Sequence, residues 1–477
     1  MNVQNEQALS NVFSKNAAEQ AAVASKIKIS SYLSRRLDLR GKTVLAFGSS
    51  EGEKPSQAAI SVYKTENGWE LGIHVADVAE YVCEGSPLDI EARARHASLR
   101  NEYSESDMLP ESLASGICSL SPGADRLALS VLLDIDSKGA LISAAFEESV
   151  IRVSEKCIYE EIDQYGLASD ASSVFALRDK YMPYTSIIAD MYELAAVLYT
   201  ARLERGALDC TVYRRKFERD ENGKPISFSL RAEPDSHAMV RELGYYAATA
   251  VGSYMYNHGL PCIFIGQGSI DDYAEKYLCE ILGMDNGCPC HFKTSEIIKN
   301  AKGSPYYDFV SEALFQGLPC AEYSTQPIYN LHCASDKVVA FLHPVSRYTD
   351  LLAHRAIKAS IAASGNPSNL NLNRHRATAE AAAAEANNAE KYIYDAKIRY
   401  RKLSALEFIA ENADSVFEGF PLLRDESGAI PVLLTCGAKA LITSESAKDY
   451  RFTAGTVASF KIVAFGTENE AVIVEPI

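Results

Sequence analysis

The stretch from Ala59 to Ser130 limits most strongly what this chain can fold into. Two segments of alternating apolar residues, Ala59–Lys64 and Trp69–Val75, are separated by a turn that ends in Asn67-Gly68. An Asn-Gly pair between such segments predicts a β-hairpin, because both residues tolerate the positive φ angles of a tight turn. We therefore expect a hairpin near the start of the chain.

An ordered series of motifs follows the hairpin. It comprises His74-Val-Ala-Asp-Val78, Gly85-Ser-Pro-Leu-Asp89, the stretch Met108–Ser130, Arg202–Asp209 (RLERGALD) and Leu342–Arg355 (LHPVSRYTDLLAHR). This series resembles the catalytic domain, called the RNB domain, of the ribonuclease II / ribonuclease R family of 3′-to-5′ exoribonucleases. The resemblance is dense over about residues 35–405 and weak over the remainder.

The resemblance implies an α+β fold, the RNB-type β-rich core wrapped by helices, with a channel for single-stranded RNA. From Val416 onward the pattern predicts about five short strands, a number that fits a small C-terminal OB-like β-barrel. We predict an N-terminal helical lead-in over residues 1–34, an RNB domain over 35–365, a connecting helix over 366–405 and a degenerate OB-fold over 406–477. The chain has no room for the cold-shock domains that precede the catalytic domain in ribonuclease II and R.

Composition narrows the class of protein. A length of 477 residues predicts two or three domains, or one large domain with an appendage. No run of 18 uncharged apolar residues occurs and the first residues are polar, which predicts no membrane span and no secretory signal. With eleven scattered cysteines, we expect reduced thiols and a cytoplasmic location. Cys288-Pro-Cys290-His291, with Cys279 nearby, has poor zinc spacing and is predicted to be a loop with free thiols.

The metal positions of the family are altered in this chain. The family carries four aspartates, in the pattern D-x-x-x-x-x-D-x-D-D, just before the strand that begins at Ala59. Mg²⁺ prefers oxygen ligands, and two such ions clamp the attacking and leaving oxygens of a phosphodiester. Alignment on Ala59 places the four positions on Ser49, Pro55, Gln57 and Ala58, none of which is a carboxylate.

Other functional positions of the family also differ. The family arginine that contacts the phosphate near the scissile bond falls on Ser346, and a tyrosine that helps to hold the RNA end falls on Arg100. A serine hydroxyl cannot reproduce the bidentate phosphate contact of a guanidinium. A family glutamate falls in the long helix after residue 368, where its register is open among Glu380, Glu385 and Glu390.

The charge of the chain bears on RNA binding. A formal net charge of -16 argues against nucleic acid, because phosphate contacts need clustered Lys and Arg. Local basic segments exist, however, among them Tyr213–Lys216 and Lys397–Lys402, and an acidic exterior around a basic channel would reconcile both facts. The residues that we predict to bind RNA are Arg95, Arg126, Arg205, Arg347, His354 and Arg355. The alternative is that these arginines pair internally with acids such as Asp209 and Asp350.

Three hypotheses about the function of the protein are consistent with these sequence features. The first is a catalytically impaired pseudo-exoribonuclease that binds single-stranded RNA weakly, with no catalytic residue, metal or cofactor. The second is an active Mg²⁺-dependent exoribonuclease that uses relocated carboxylates, with Glu51, Glu53, Asp77 and Asp89 as candidates. The third is a structural or partner-binding protein without RNA. The sequence indicates no membrane partner and does not identify a protein partner.

Overall fold

The computed structural model describes residues 12–50, 56–100, 105–167, 174–209, 213–284, 293–363, 372–465 and 472–477. Its internal contacts divide the chain into two units, each built from separated stretches of sequence. The first unit contains residues 1–207, 234–267 and 321–391, and the second contains residues 208–233, 268–320 and 392–477. Contiguous domains, by contrast, are predicted from the sequence.

Strands and helices are numbered in chain order through both units. The strands of the first unit are β1 Leu37–Asp38, β2 Leu45–Gly48, β3 Ala58–Thr65, β4 Gly68–Ala76, β5 Leu99–Arg100, β6 Glu105–Ser106, β7 Asp125–Asp136, β8 Leu141–Arg152, β9 Glu155–Ile158, β12 Phe264–Gly266 and β13 Glu322–Ser324. Its helices are α1 Lys15–Ala24, α2 Val78–Tyr81, α3 Pro87–Arg95, α4 Tyr159–Leu167, α5 Val174–Tyr181, α6 Thr185–Glu204, α7 Asp235–Asn257 and α11 Tyr348–Ala362.

The second unit supplies the remaining elements. Its strands are β10 Tyr213–Arg219, β11 Pro225–Ala232, β14 Val416–Pro421, β15 Ile430–Leu434, β16 Lys439–Ile442, β17 Ala458–Phe465 and β18 Val472–Pro476. Its helices are α8 Asp272–Ile281, α9 Lys293–Ala301 and α10 Tyr307–Gly317, together with the second half of α12 Leu372–Glu411, whose first half belongs to the first unit. The described part of α12 begins and ends later than the connecting helix predicted over 366–405.

A seven-stranded sheet in the order β1-β8-β7-β4-β3-β2-β9 forms the centre of the first unit. The predicted hairpin is confirmed, since β3 and β4 are antiparallel with Thr65 opposite Gly68. Glycine is required at the turn, because a Cβ atom at Gly68 would lie 2.0 Å from the carbonyl oxygen of Ile135 on β7.

Both faces of this sheet are covered by apolar side chains, because successive residues of a strand point to opposite sides. On one face, residues such as Ile73 and Val131 pack in a cluster with α6 and α7. On the other face, residues such as Ala59 and Ala128 pack in a cluster with α1, α2 and α3. A β-rich core wrapped by helices is therefore confirmed for this unit.

The second unit contains a closed barrel in the order β14-β15-β16-β18-β17, which confirms the predicted C-terminal barrel. The hairpin β10–β11 and the end of α12 share its apolar core. Phe408 of α12 joins the two, with ring centroids 5.8 Å from Phe217 of the hairpin and 5.9 Å from Phe417 of the barrel.

Alanine substitution at two helical glycines should change the free energy of unfolding in opposite directions. A Cβ atom at Gly252 in α7 would lie 2.1 Å from the backbone oxygen of Lys337, so Gly252→Ala should lower the free energy of unfolding by about 1–3 kcal/mol. Gly166 in α4 is exposed with open space around it, so Gly166→Ala should raise that free energy by about 0.5–1 kcal/mol. Urea unfolding measures both, and equal signs would contradict the packing described for α7.

Candidate functional site

The positions aligned with a family aspartate and with the family arginine meet in the structure. Gln57 lies just before β3 and Ser346 just before α11, 289 residues apart in sequence. The Gln57 amide Nε2 donates to Ser346 Oγ at 3.4 Å, and Gln57 Oε1 accepts a hydrogen bond from the backbone N–H of Val345 at 3.1 Å. An uncharged amide and an uncharged hydroxyl therefore satisfy each other where the resemblance places a carboxylate and a guanidinium.

The other three aligned positions offer little to a cation. Ser49 Oγ donates to Glu160 at 3.0 Å, and Glu160 also accepts from the backbone N–H of Ser50 at 3.2 Å. Ala58 opens β3 opposite Val75 and has no donor or acceptor on its side chain. Pro55 lies outside the described residues, as do Glu51 and Glu53.

A strained turn holds the segment that carries Ser346. His96 follows α3 with a φ of 63°, a value that is uncommon for residues other than glycine. Its carbonyl accepts from the backbone N–H of Tyr348 at 2.9 Å, and the carbonyl of Ser346 accepts from the N–H of Ser98 at 2.9 Å. These bonds fix the chain on both sides of Arg347.

Asp350 organises the same segment from inside the protein. Its buried carboxylate accepts from the backbone N–H of His343 at 2.7 Å and from Arg347 at 3.0 Å. Burial lowers the pKa of Arg347, but the interactions with Asp350, Tyr323 and Glu390 together outweigh burial and raise that pKa above its ordinary value. The Arg347 side chain is still 33% exposed, so part of the guanidinium reaches the surface.

The structure distinguishes the three candidate glutamates of α12. Glu385 pairs with Arg93 of α3 through two hydrogen bonds, of 2.7 and 2.9 Å. Glu390 interacts electrostatically with Arg347 and helps to raise its pKa. Glu380 is exposed. Of the three glutamates, Glu390 is therefore the one that interacts with the segment carrying Ser346, through the charge of Arg347.

Three of the predicted RNA-binding residues face the interior. Arg95 is buried, stacks on Phe13 at 3.9 Å and donates to the carbonyl of Val12 at 2.7 Å. Arg355 donates to Asp89 at 2.7 Å. His354 is fully buried, and its Nε2 donates to the carbonyl of Phe341 at 2.9 Å. For these three the geometry favours the alternative of an internal role.

Two of the predicted arginines remain closer to solvent. Arg205 is exposed, and its guanidinium donates to the carbonyl of Ala201 in its own helix at 3.1 Å. Asp209, which is a possible internal partner from its spacing, forms an ion pair with Lys302 at 3.1 Å. Arg126 is partly buried and donates through Nε to the carbonyl of Ser119 at 2.7 Å.

The motif residues His74 and Asp77 both have structural partners. His74 Nε2 is 3.0 Å from Ser61 Oγ and His74 Nδ1 is 2.7 Å from Ser130 Oγ, which forms a buried polar row across β3, β4 and β7. Burial lowers the pKa of His74 to about 3, so its ring stays neutral at ordinary pH. Asp77, three residues after His74, belongs to a separate ionic cluster.

This ionic cluster joins three carboxylates and two cations. Arg36 Nη2 lies 2.7, 2.8 and 3.2 Å from carboxylate oxygens of Asp77, Glu80 and Glu148. Lys358 Nζ lies 2.6, 2.7 and 2.9 Å from the same three groups. The three carboxylates are close enough together to ligate a metal ion, but two side-chain cations already pair with all three of them. The sequence holds no signal for this cluster, because Arg36, Glu148 and Lys358 are far along the chain from Asp77 and Glu80.

Asp89, the other carboxylate considered as a relocated ligand, is engaged as well. Its Oδ1 accepts from Tyr348 at 2.9 Å and from Arg355 at 2.7 Å, while its Oδ2 accepts from the backbone N–H of Gly85 at 2.7 Å. Asp77 and Asp89 are therefore parts of the scaffold. The cysteine cluster cannot be assessed in the same way, since Cys288, Cys290 and His291 lie outside the described residues and Cys279 is buried.

Neutralising Asp77 should destabilise the fold. Burial would raise the pKa of Asp77, but Lys358 and Arg36 outweigh burial and hold that pKa below its ordinary value. The ionised carboxylate therefore stabilises the protein above about pH 4, and this contribution is lost as pH falls through the folded-state pKa. Asp77→Asn should lower the free energy of unfolding at pH 7 by about 3–5 kcal/mol, with a difference from wild type that narrows below about pH 4.

Urea unfolding across this pH range measures the effect of Asp77→Asn. The control is Glu193→Gln, which breaks the exposed pair between Lys64 and Glu193 and should cost less than about 1 kcal/mol. Similar losses in the two variants would contradict a special role for the buried cluster.

Comparison with known proteins places this geometry in context. The RNB domain family matches residues 36–363. Ribonuclease R 1 of Lactococcus lactis is 29% identical over 416 residues, which cover 85% of this chain and 50% of that protein. The chain spans about half the length of the curated relatives it matches.

Two solved structures share the fold. Mycoplasma genitalium RNase R in complex with ribose-methylated single-stranded RNA matches with a TM-score of 0.81 and 19% identity, over 99% of this chain and 77% of that chain. Yeast Ssd1, a pseudonuclease, matches with a TM-score of 0.65 and 19% identity, over 87% of this chain and 51% of that chain. Among the helices that the structure describes, none combines the length and apolar character of a membrane span.

Proposed function

The chain belongs to the RNB domain family, and from this membership we propose that it is a catalytically impaired pseudo-exoribonuclease that binds single-stranded RNA. The hydrogen bond between Gln57 and Ser346 is the observation that carries the proposal. It joins the position of a metal-binding carboxylate to the position of a phosphate-binding guanidinium, and neither residue carries a charge.

The donor set at these positions does not fit a pair of magnesium ions. Such a site needs several carboxylates around two cations, which then clamp the attacking and leaving oxygens. Gln57 could offer one neutral amide oxygen, but that oxygen already accepts from the N–H of Val345. Ala58 offers nothing, and Ser49 is bonded to Glu160. Hydrolysis through bound Mg²⁺ is therefore not expected here.

An active enzyme with relocated ligands is the second candidate. Asp77 and Asp89 contribute little to it, because each already neutralises a cation inside the scaffold. The candidate then depends on Glu51 and Glu53, which lie two residues apart in sequence and outside the described residues. Two carboxylates from one segment would have to replace four, which weakens this candidate.

Retained RNA binding is supported by the fold and by a small number of accessible cations. Mycoplasma genitalium RNase R, which shares the fold, has been solved with single-stranded RNA. In this chain Arg205 is exposed and Arg126 and Arg347 are partly exposed, so they can face a phosphate backbone. A net charge of -16 opposes the approach of RNA, and we expect weak binding that decreases steeply with salt.

The protein should leave single-stranded RNA uncut. We expect an end-labelled oligonucleotide to remain at full length with Mg²⁺ or Mn²⁺, and the bound fraction to be unchanged by EDTA, because no metal bridges protein and RNA. Gel electrophoresis measures the length and filter retention measures the binding. Processive shortening that disappears in Glu51→Gln or Glu53→Gln would support the relocated site instead, whereas a contaminating nuclease would not respond to those substitutions.

Substitutions of two arginines should distinguish a role in RNA binding from a role in the stability of the fold. Arg205→Gln should weaken binding of single-stranded RNA regardless of its sequence and lower the slope of log affinity against log salt by about 0.7, with little change in stability. Arg355→Gln should lower stability by about 3–5 kcal/mol, because it leaves Asp89 buried without its cation. RNA titrations at two salt concentrations and urea unfolding measure these effects. If wild type binds no RNA at low salt, the third hypothesis, a structural or partner-binding protein, replaces this proposal.

A further inference from the structure

Helix α12 is buried at both ends and open in its middle. Two stretches of the helix contribute buried residues, namely Ala379, Ala382, Ala383 and Ala386 in the first and Ser404, Ala405, Phe408 and Ile409 in the second. Between them lie residues 387–403, all described and none of them buried. Since a helix normally buries one continuous apolar stripe, the interruption needs a reason.

The open segment carries a lysine where the stripe would continue. Lys397 lies eleven residues after Ala386 and seven before Ser404, so the helical repeat places it on the same side of α12 as both buried stretches. Ile393 and Tyr400, at spacings of four and three from Lys397, flank this side and are partly exposed. Lys397 itself is exposed.

The charge of this segment is opposite in sign to the net charge of the chain. Between residues 392 and 402 there are four basic residues and one acidic residue, in a chain of net charge -16. Among the described residues the structure gives no ion pair for Lys397. Tyr394 is anchored through its hydroxyl, which donates to the carbonyl of Leu318 at 2.8 Å. The result is a fixed helix side that presents a basic residue beside aromatic rings.

We propose that this side of α12, carried by Ile393, Lys397 and Tyr400, is a contact site for single-stranded RNA. The inference rests on the proposed function, and it adds a site at residues that the family motifs do not cover. Basic groups that neutralise the backbone and rings on which bases stack are the two features that sequence-independent single-strand sites combine. An apolar partner helix would bury Lys397 without a counter-charge, which is costly, so charge complementarity favours a polyanion.

The helix supplies its own control. Arg399 lies two residues from Lys397, is also exposed, and has no ion pair among the described residues. At about 100° per residue, its side chain points about 160° away from Lys397, to the side of α12 opposite the buried stretches. Lys397→Gln and Arg399→Gln therefore remove one positive charge each from the same helix, and they differ in the side that loses it.

The experiment titrates a fluorescent oligouridylate into the full chain and both variants at two salt concentrations. We expect Lys397→Gln to weaken binding several-fold and to lower the slope of log affinity against log salt by about 0.7, while Arg399→Gln changes neither. Thermal unfolding checks that both variants remain folded. Photocrosslinking of a 4-thiouridine strand to wild type should label the peptide that contains Tyr400, which is a readout independent of affinity.

The possible failures are distinct. If wild type binds RNA but the two variants behave alike, or crosslinks avoid the Tyr400 peptide, the site on α12 is refuted while the proposed function stands. If wild type binds no RNA at low salt, the proposed function fails, and this inference fails with it.

Discussion

The first unit depends on an ionic cluster in which two cations contact the same three carboxylates. Arg36 precedes β1, Asp77 follows β4, Glu148 lies on β8 and Lys358 lies on α11, so the cluster ties four separate parts of the chain together. Burying these charges is costly, and only their mutual attraction offsets the cost. Asp77 is the fully buried carboxylate of the cluster, so removing it leaves Arg36 and Lys358 with only the partly exposed Glu80 and Glu148 as carboxylate partners.

The cluster matters for the candidate site because it fixes α11. The segment that carries Ser346 leads directly into this helix, and the helix is held by Lys358 in the cluster and by Arg355 on Asp89. With α11 held, Ser346 meets Gln57 at the start of β3. Gln57 and Ser346 are both uncharged, whereas the resemblance places a carboxylate and a guanidinium at these two positions. Losing both charges together leaves a site that is electrically balanced without a metal.

The structural elements that could be predicted from the sequence are those determined by neighbouring residues. Asn67-Gly68 predicted the central hairpin, and five short β segments predicted the barrel, because turns and alternation are set by neighbouring residues. Alignment identified Gln57 and Ser346 as altered family positions, but it did not predict that their side chains meet. The partners of the arginines could not be predicted. A motif gives the position of Arg355 in the sequence, but it does not identify the carboxylate that faces Arg355 in the fold. That each unit is built from separated stretches of the chain was not predicted for the same reason. Contacts between distant stretches produce no recognisable pattern in the sequence of either stretch.

The pattern of internal pairing also explains where free positive charge can remain. In a chain with 47 basic and 63 acidic residues, an arginine near the core finds a carboxylate easily, as Arg36, Arg202 and Arg355 do. A cation stays accessible to solvent where its side chain lies on an unburied stretch of the surface. The middle of α12 is such a place, because none of its residues from 387 to 403 is buried. The net charge of -16 opposes the approach of RNA, so binding depends on the cations that remain accessible at the surface.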